Sequence, residues 1–346
     1  MASTIVGVDI GATGIRGAEV SGPSNARPTL MRYAEVPLPA GAVIKGEVIA
    51  PELVATALKK LWSVGGFGSK QVVMGVGGSR VIARDVTVPK APLKLIREML
   101  PLHVQEVLPF PAKDAVLDFY PISDGEDNTV SGLLVAVLET TVAKNMTAAR
   151  LSGLKPVNVD LNAFALSRVN FWNQTGNETV ALVDVGASTT TVVVATAGVP
   201  SFVRIIPIGG DEVTNTLASK TAIDRDAAER VKRGLGLAAA STAEERLASA
   251  AIYEATGQLI VSIRDTLNYF ATVQPSIIVS RLAISGGASR LRGFHDALAE
   301  YTRLPVATPN VLAALNLRKS AEKSIGSFGA DASPIVAVGL ALGGQA

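Results

Sequence analysis

The chain has 346 residues, 48% of them hydrophobic and 18% charged, with a formal net charge of +2. That much apolar material excludes overall disorder and suits two lobes or one large divided domain; no run of Lys or Arg reaches four, which argues against nucleic-acid or membrane binding by charge. There is no cysteine and only His103 and His295 as histidines, so thiol catalysis, thiolate metal sites and disulfides are excluded, and a zinc centre or a Ser/His hydrolase is disfavoured.

The chain opens without a basic n-region and enters strand-like sequence at once, so no signal peptide is expected. Its apolar runs GLLVAVL and PIVAVGLALGG are shorter than the ~20 residues that span a bilayer. The sequence therefore reads as that of a soluble cytosolic protein. Strands are predicted at 4–10, 15–21 and 29–36, then a helix at 51–63 with Pro51 pre-set for its first turn. KQVVMGVG (70–77) predicts a buried strand and the alternating run at 79–89 a half-exposed one. A helical stretch at 92–107 contains Pro101, which predicts a kink or a split. Strands at 114–121 and 130–138 flank the turn-rich SDGEDN, followed by a helix at 141–152, a strand at 155–160 and a helix at 161–172. The polar NQTGNET (173–179) marks a boundary between lobes. Beyond it come three strands over 179–207, helices at 210–219 and 224–233, and a long helix at 243–273. Leu247, Ile252, Leu259, Ile263, Leu267 and Phe270 are expected to form one apolar stripe on that helix. RLAISGGASRLRGF reads as a strand, a Gly-Gly turn and a helix start, and a last helix near 333–342 has Pro334 in its first turn.

IVGVDIGATGIRGAEV (5–20) and ALVDVGASTTTVVVAT (181–196) repeat one pattern, with Asp9 and Asp184 lying 175 positions apart. An apolar strand ends in Asp-x-Gly, a small or hydroxyl residue follows, and a second apolar strand begins. Each copy leads three strands and a helix, while about 80–153 reads as an insertion into the first half. Internal duplication at this spacing implies two similar lobes related by a pseudo-twofold axis. The two hairpins would face each other with glycine-rich backbone amides and one aspartate apiece.

The chemistry of such turns suits a phosphate. Gly11 and Gly14 are able to take positive φ and leave no side chain between the backbone N–H groups and an anion, Ala12 is small, and Thr13 adds a hydroxyl. An aspartate does not welcome phosphate, so Asp9 is expected to hold Mg²⁺, directly or through water. Asp184, Gly186, Ala187, Ser188 and Thr189 repeat the arrangement. A single Asp-x-Gly turn is common in hairpins; two in matching register point to a nucleotide.

The two turns resemble the phosphate-1 and phosphate-2 loops of the actin/Hsp70/sugar-kinase superfamily. AAERVKRGLG (227–236) resembles its nucleoside helix, in the Hsp70 form. There a glutamate and a lysine take the ribose hydroxyls; the matching residues are Glu229 and Lys232, neighbours on one helical face, with Arg233 near the base. ISGGASRLRGF (284–294) resembles the adenosine motif, with Gly286 and Gly287 passing under the nucleotide and Arg290 flanking the adenine. Arg16 occupies a position where many members carry lysine. Within the superfamily, VLPFPAKDAVLDFYPI (107–122), GLLVAVLETTVAKNMTAARLSGLKPVNVDLNAFAL (132–166) and the closing AVGLALGG resemble the PilM family, actin-like and FtsA-like proteins of the type IV pilus inner-membrane platform.

The resemblance covers essentially the whole chain. It implies an α/β, actin-like two-lobe fold, a duplicated ribonuclease H-like unit, carrying an FtsA-type 1C insertion. The implied divisions are 1–79 (1A), 80–153 (1C), 154–177 and 320–346 (return to the first lobe), 178–209 and 275–319 (2A), and 210–274 (2B). It implies ATP with Mg²⁺ as cofactors. The implied partner is a PilN-like bitopic membrane protein, captured by its N-terminal cytoplasmic peptide beside 1C. Pilus assembly ATPases and further copies of the chain are other partners it allows, whereas nucleic acid and direct membrane insertion are not expected. The protein would be cytoplasmic and recruited to the inner or plasma membrane through its partner. Hydrolysing relatives place a glutamate near the start of the helix after the connecting strand. In VDLNAFAL that position holds Asn162, with Asp160 two residues earlier, so ATPase activity is expected to be weak or absent. A small-molecule kinase of the same fold and an FtsA-like polymerising division protein are the competing readings. Cysteine/histidine zinc sites of one sugar-kinase group are missing, no carboxylate base stands out, and GLALGGQA is not the basic amphipathic helix of FtsA.

Overall fold

The computed structural model describes residues 4–172, 176–238, 242–328 and 333–344. Of the NQTGNET break, residues 173–175 lie outside the described residues. The chain divides into two compact units, one of Met1–Asn177, Val193–Ile205 and Asn310–Ala346, the other of Glu178–Val192 and Ile206–Pro309.

The first unit is built on a six-stranded sheet in the order Lys155–Leu161, Gln71–Val76, Thr4–Ile10, Gly14–Ser21, Thr29–Pro37 and Asn316–Leu317. Thr4–Ile10, Gly14–Ser21 and Thr29–Pro37 form an antiparallel meander, whereas Gln71–Val76 joins Thr4–Ile10 in parallel after the crossover helix Pro51–Gly65. Both faces of the sheet are covered, which explains its nearly continuous apolar strands. On one face Val6, Val8 and Ile10 pack with Val54, Leu58 and Leu61 of the crossover helix and with Ala148 and Ala149 of helix Glu139–Leu151. On the other, Ile5 and Val73 meet Ala165 and Val169 of helix Asn162–Asn170 and the closing helix Ile335–Leu342. That last helix, IVAVGLAL, is apolar all round because it is buried all round. Its backbone touches the sheet at Gly7, where a Cβ would sit 2.0 Å from the Ala337 carbonyl oxygen.

The 80–153 segment contains a three-stranded antiparallel sheet, Ile82–Pro89, Thr129–Leu138 and Ala115–Asp124, with Thr129–Leu138 in the middle. Helix Leu93–His103 lays Ile96 and Leu100 against Phe119, Val130, Leu134 and Ala136 to make a separate small core. Pro101 does not split that helix. It falls in the last turn, so the helix ends at His103 and not at 107, which limits the cost of the missing N–H. Tyr120 of this sheet stacks against Phe164 of helix Asn162–Asn170 at 5.1 Å between ring centroids.

The second unit carries the strands Thr179–Val185, Arg281–Ser285 and Val306–Ala307, which belong to a five-stranded sheet in the order Val199–Ile206, Thr190–Thr196, Thr179–Val185, Arg281–Ser285 and Val306–Ala307. Helices Gly210–Thr221, Arg225–Leu235 and Ala243–Val273 pack together through Val213, Leu217, Ala228, Ala251, Ile252 and Ala255. The long helix starts on a capping box in which Thr242 and Glu245 satisfy each other's backbone N–H groups. Its stripe is buried from Ile252 to Phe270, but Leu247 is 51% exposed. The contact face near the N-terminus is carried by Ala248, Ala251 and Ala255, small residues that allow close helix approach and rotate the stripe away from Leu247.

Candidate functional site

The two repeated turns close in the same way. The N–H of Gly11 donates to the carbonyl of Gly14 at 3.0 Å, and the N–H of Gly186 donates to the carbonyl of Thr189 at 2.9 Å. Each turn therefore spans the same four positions after Asp-x, with an aspartate as the last polar residue of the incoming strand. Neither Gly11 nor Gly14 uses positive φ. Their requirement is steric: a Cβ on Gly14 would come within 2.9 Å of the Val36 carbonyl oxygen. Thr13 is exposed and Ala12 half-buried at the tip.

Below the first turn, three adjacent strands align Asp9, Arg16 and Glu35 across the sheet, since Asp9 is opposite Arg16 and Arg16 opposite Glu35. The Arg16 guanidinium lies between the two carboxylates, with Nη1 3.3 Å from Asp9 Oδ2 and Nε 3.2 Å from Glu35 Oε2. Asp9 is buried, and its charge is acceptable there because it is paired. Glu35 Oε1 accepts hydrogen bonds from the Tyr33 hydroxyl and, at 2.9 Å, from the Ser333 N–H. Burial, then the Glu35 charge, push the Tyr33 phenol far above its usual range, so it stays a donor.

In the second unit, parallel register sets Asp184 beside Ser285, whose hydroxyl donates to Asp184 Oδ1 at 2.7 Å. The loop Gly186–Thr189 is supported by a second turn at Gly209–Gly210: the Gly210 N–H donates to the Gly186 carbonyl at 3.0 Å and the Asp211 N–H to that of Ala187 at 2.7 Å. Ser188 and Thr189 are half-buried beside it. Gly286 follows Ser285 with φ of 88°, and a Cβ there would lie 2.3 Å from the Val185 carbonyl oxygen, so both conformation and space demand glycine. At Gly287 an added Cβ meets nothing within 4 Å, which leaves open space on that side. Ser289 closes the turn by donating to the Gly286 carbonyl at 2.8 Å, and Arg290 is exposed.

Helix Arg225–Leu235, capped by Asp224, brings Glu229 and Lys232 to the same place. Glu229 Oε2 meets Lys232 Nζ at 2.6 Å and Thr214 Oγ1 at 2.7 Å, while Oε1 meets Arg233 Nε at 2.9 Å. Burial alone would raise the Glu229 carboxyl, but the hydrogen bonds from Lys232, Arg233 and Thr214 hold it down to about 2. Arg233 is exposed; Lys232 is buried.

The remaining candidates sit in the first unit. Asp160 Oδ2 pairs with Arg168 Nη1 at 2.9 Å, and Oδ1 accepts from the Leu161 N–H at 2.8 Å. Asn162, the first residue of its helix, lies against Gly75 and Gly77: a Cβ on Gly75 would come within 2.2 Å of Asn162 Oδ1. Among the described residues no group of three or more His, Asp or Glu forms a ready metal cage.

Glu35, Thr214, Ser285 and the Gly209–Gly210 turn escape a reading of the sequence. Glu35 needs strand register to be seen as an Arg16 partner. PIGGDE at 207–212, however, repeats the Gly-Gly of ISGG and opens a helix with acidic residues, a legible signal of close backbone approach.

Comparison with known proteins places this geometry. The family model described as type IV pilus assembly protein PilM matches residues 7–345. Cell division protein FtsA of Bacillus subtilis (strain 168) is 22% identical over an alignment of 233 residues that covers 60% of this chain and 53% of that protein; the chain spans about half the length of that curated relative. Among solved structures, a chain of the PilM-PilN type IV pilus biogenesis complex aligns with a TM-score of 0.85 and 28% identity, covering 100% of both chains. MreB5 of Spiroplasma citri bound to ADP aligns with a TM-score of 0.52 and 12% identity over 94% of this chain and 96% of that one, a likeness of fold. The fold class is α/β and actin-like. No helix among the described residues is long and apolar enough to cross a membrane.

Proposed function

The chain belongs to the PilM family of type IV pilus assembly proteins, and from that premise we propose that it is an ATP-binding scaffold of the pilus inner-membrane platform. The observation that carries the nucleotide half of this reading is the identical closure of the two Asp-x-Gly turns. A pair of phosphate loops is expected to keep one backbone path in both copies. The residues present fit Mg·ATP. Backbone amides and small side chains line both loops, Asp9 and Asp184 are hard oxygen donors suited to a hydrated Mg²⁺, and the open side of Gly287 leaves room for a base plane. In this reading Gly11 to Gly14, with Arg16, and Gly186 to Thr189 hold phosphates, Glu229 and Lys232 take the ribose with Arg233 near the base, and Gly286, Gly287 and Arg290 border the adenine. Bound Mg²⁺ supplies charge neutralisation for the phosphates.

Hydrolysis is slow or absent in this proposal. Asn162 cannot accept a proton from water, and Asp160 is committed to Arg168 and the Leu161 N–H. The nucleotide then acts as a structural ligand, stabilising by mass action whatever conformation binds it. The partner is a PilN-like membrane protein, whose short cytoplasmic N-terminal segment binds beside the 80–153 subdomain and brings the chain to the cytoplasmic face of the membrane. The solved complex carrying both names supports that assignment. Calorimetric titration with Mg·ATP and then with a PilN-type N-terminal peptide tests it, alongside phosphate release. Micromolar binding of both with no turnover is expected; turnover stimulated by a sugar or other small metabolite would replace the scaffold with a kinase.

A further inference from the structure

We infer that the 80–153 subdomain is an arm closed by a clasp at its root, in which the hairpin of strands Val43–Ile44 and Glu47–Val48 grips the entry segment through Glu47 and Arg80. The arm leaves and rejoins the first unit in two different ways. Its exit has no linker, because strand Thr129–Leu138 ends where helix Glu139–Leu151 begins. Its entry runs from the end of strand Gln71–Val76 through Gly77, Gly78, Ser79, Arg80 and Val81 before strand Ile82–Pro89 starts. Two adjacent glycines make the entry the softer connection, so its geometry has to be held from outside.

The hairpin holds it. Lys45 and Gly46 form its tight turn with φ of 49° and 79°, the pair of positive values that a two-residue hairpin turn demands. The Lys45 carbonyl accepts from the Ser79 N–H at 3.1 Å, and the backbones touch: a Cβ on Gly46 would lie 2.4 Å from the Gly77 carbonyl oxygen. Beside this contact the Arg80 guanidinium meets the Glu47 carboxylate at two points, Nε on Oε1 at 2.5 Å and Nη2 on Oε2. The Glu47 side chain is 8% exposed and that of Arg80 50%. A buried carboxylate needs a counter-ion, which favours the closed clasp. Arg80 already meets water, and withdrawal of the entry segment would let water reach Glu47, so the charges are satisfied in either position. Further along the arm, Leu133, Val135 and Val137 are buried on the face of the sheet opposite its own core. Tyr120, in register with Leu133, rests there on Phe164 of the first unit. The clasp sets how closely that apolar face is applied.

The full chain has no cysteine, so introduced thiols label uniquely. Spin labels at Lys59→Cys, on helix Pro51–Gly65, and Lys94→Cys, on helix Leu93–His103, report the distance from lobe to arm by pulsed electron resonance. One closed distance should dominate the parent. Arg80→Gln should raise the population of a second, longer distance about tenfold and quicken exchange of the Ser79 amide by a similar factor. Arg80→Lys keeps the charge without the two-point contact and should fall between. An unchanged distance distribution in Arg80→Gln would overturn the clasp. So would opening by Phe164→Ala with Arg80→Gln silent, which would give control to the Tyr120 contact instead. Exchange in strand Thr4–Ile10 should stay as in the parent; if it also quickened in Arg80→Gln, the pair would be a support of the whole lobe and not a clasp. No ligand enters these measurements, so their outcome leaves the nucleotide reading where it stands.

Discussion

The two copies of the Asp-x-Gly turn share a backbone and differ in what stands behind it. In the first, a ladder of three side chains on adjacent strands, Asp9, Arg16 and Glu35, places a cation directly under the turn. In the second, Asp184 accepts a hydrogen bond from the Ser285 hydroxyl, and the nearby cation, Lys232, comes from a helix and donates to the Gly210 carbonyl. Duplication therefore copied a hydrogen-bonded path of the main chain. The charges that make each path rigid were supplied locally, by strand register in one unit and by a helix in the other.

Ways to break that comparison can be ordered by size. Gly286→Ala should be the most damaging, at about 3 kcal/mol or more, because a side chain meets the Val185 carbonyl and a φ of 88° at once; Gly14→Ala, with negative φ, should cost clearly less, and paired thermal melts measure the gap. Next come Asp9→Ala and Asp184→Ala, each expected to weaken Mg·ATP by about a hundredfold in calorimetry. Loss in one variant and not in the other would mean the turns are not equivalent.

The remaining tests sharpen the contrast in charge. Glu229 has its carboxyl lowered from 4.5 to about 2. A lowered folded value contributes stability above the unfolded value, lost as pH falls from about 4.5 toward 2. After allowance for exposure it is worth on the order of 2 kcal/mol, and Glu229→Gln should flatten that part of the pH–stability curve. Smallest is Glu35→Gln, which leaves the Asp9–Arg16 pair in place but removes the second carboxylate from Arg16. We expect roughly fivefold weaker nucleotide binding and about 1 kcal/mol of stability, and a variant indistinguishable from wild type by calorimetry would show that Asp9 alone positions Arg16.

Much of this was legible in residue order. The repeated Asp-x-Gly, the strands on either side and the long helix at 243–273 follow from short-range patterns, period 2 for strands and 3.6 for helices, and the structure has them within a residue or so. Leu247 was misread because periodicity names a stripe without saying where its partner ends. Of the kink or split that Pro101 predicts, the split is not found, because a proline in the final turn looks, in sequence, like one in the middle. The acceptors around Lys232, the Gly210 carbonyl and the Thr214 hydroxyl, are properties of packing and are not legible in residue order.

By itself the sequence determined the two turns, the α/β alternation and the family, because each rests on neighbours a few positions apart along the chain. Only the tertiary structure decided which charges oppose each other: Arg16 against Glu35 across two strands, Lys232 against a carbonyl 22 positions away, Asp160 against Arg168. Charge pairing acts over a few ångströms of space and depends on register and helix rotation, and neither quantity is written in the order of residues.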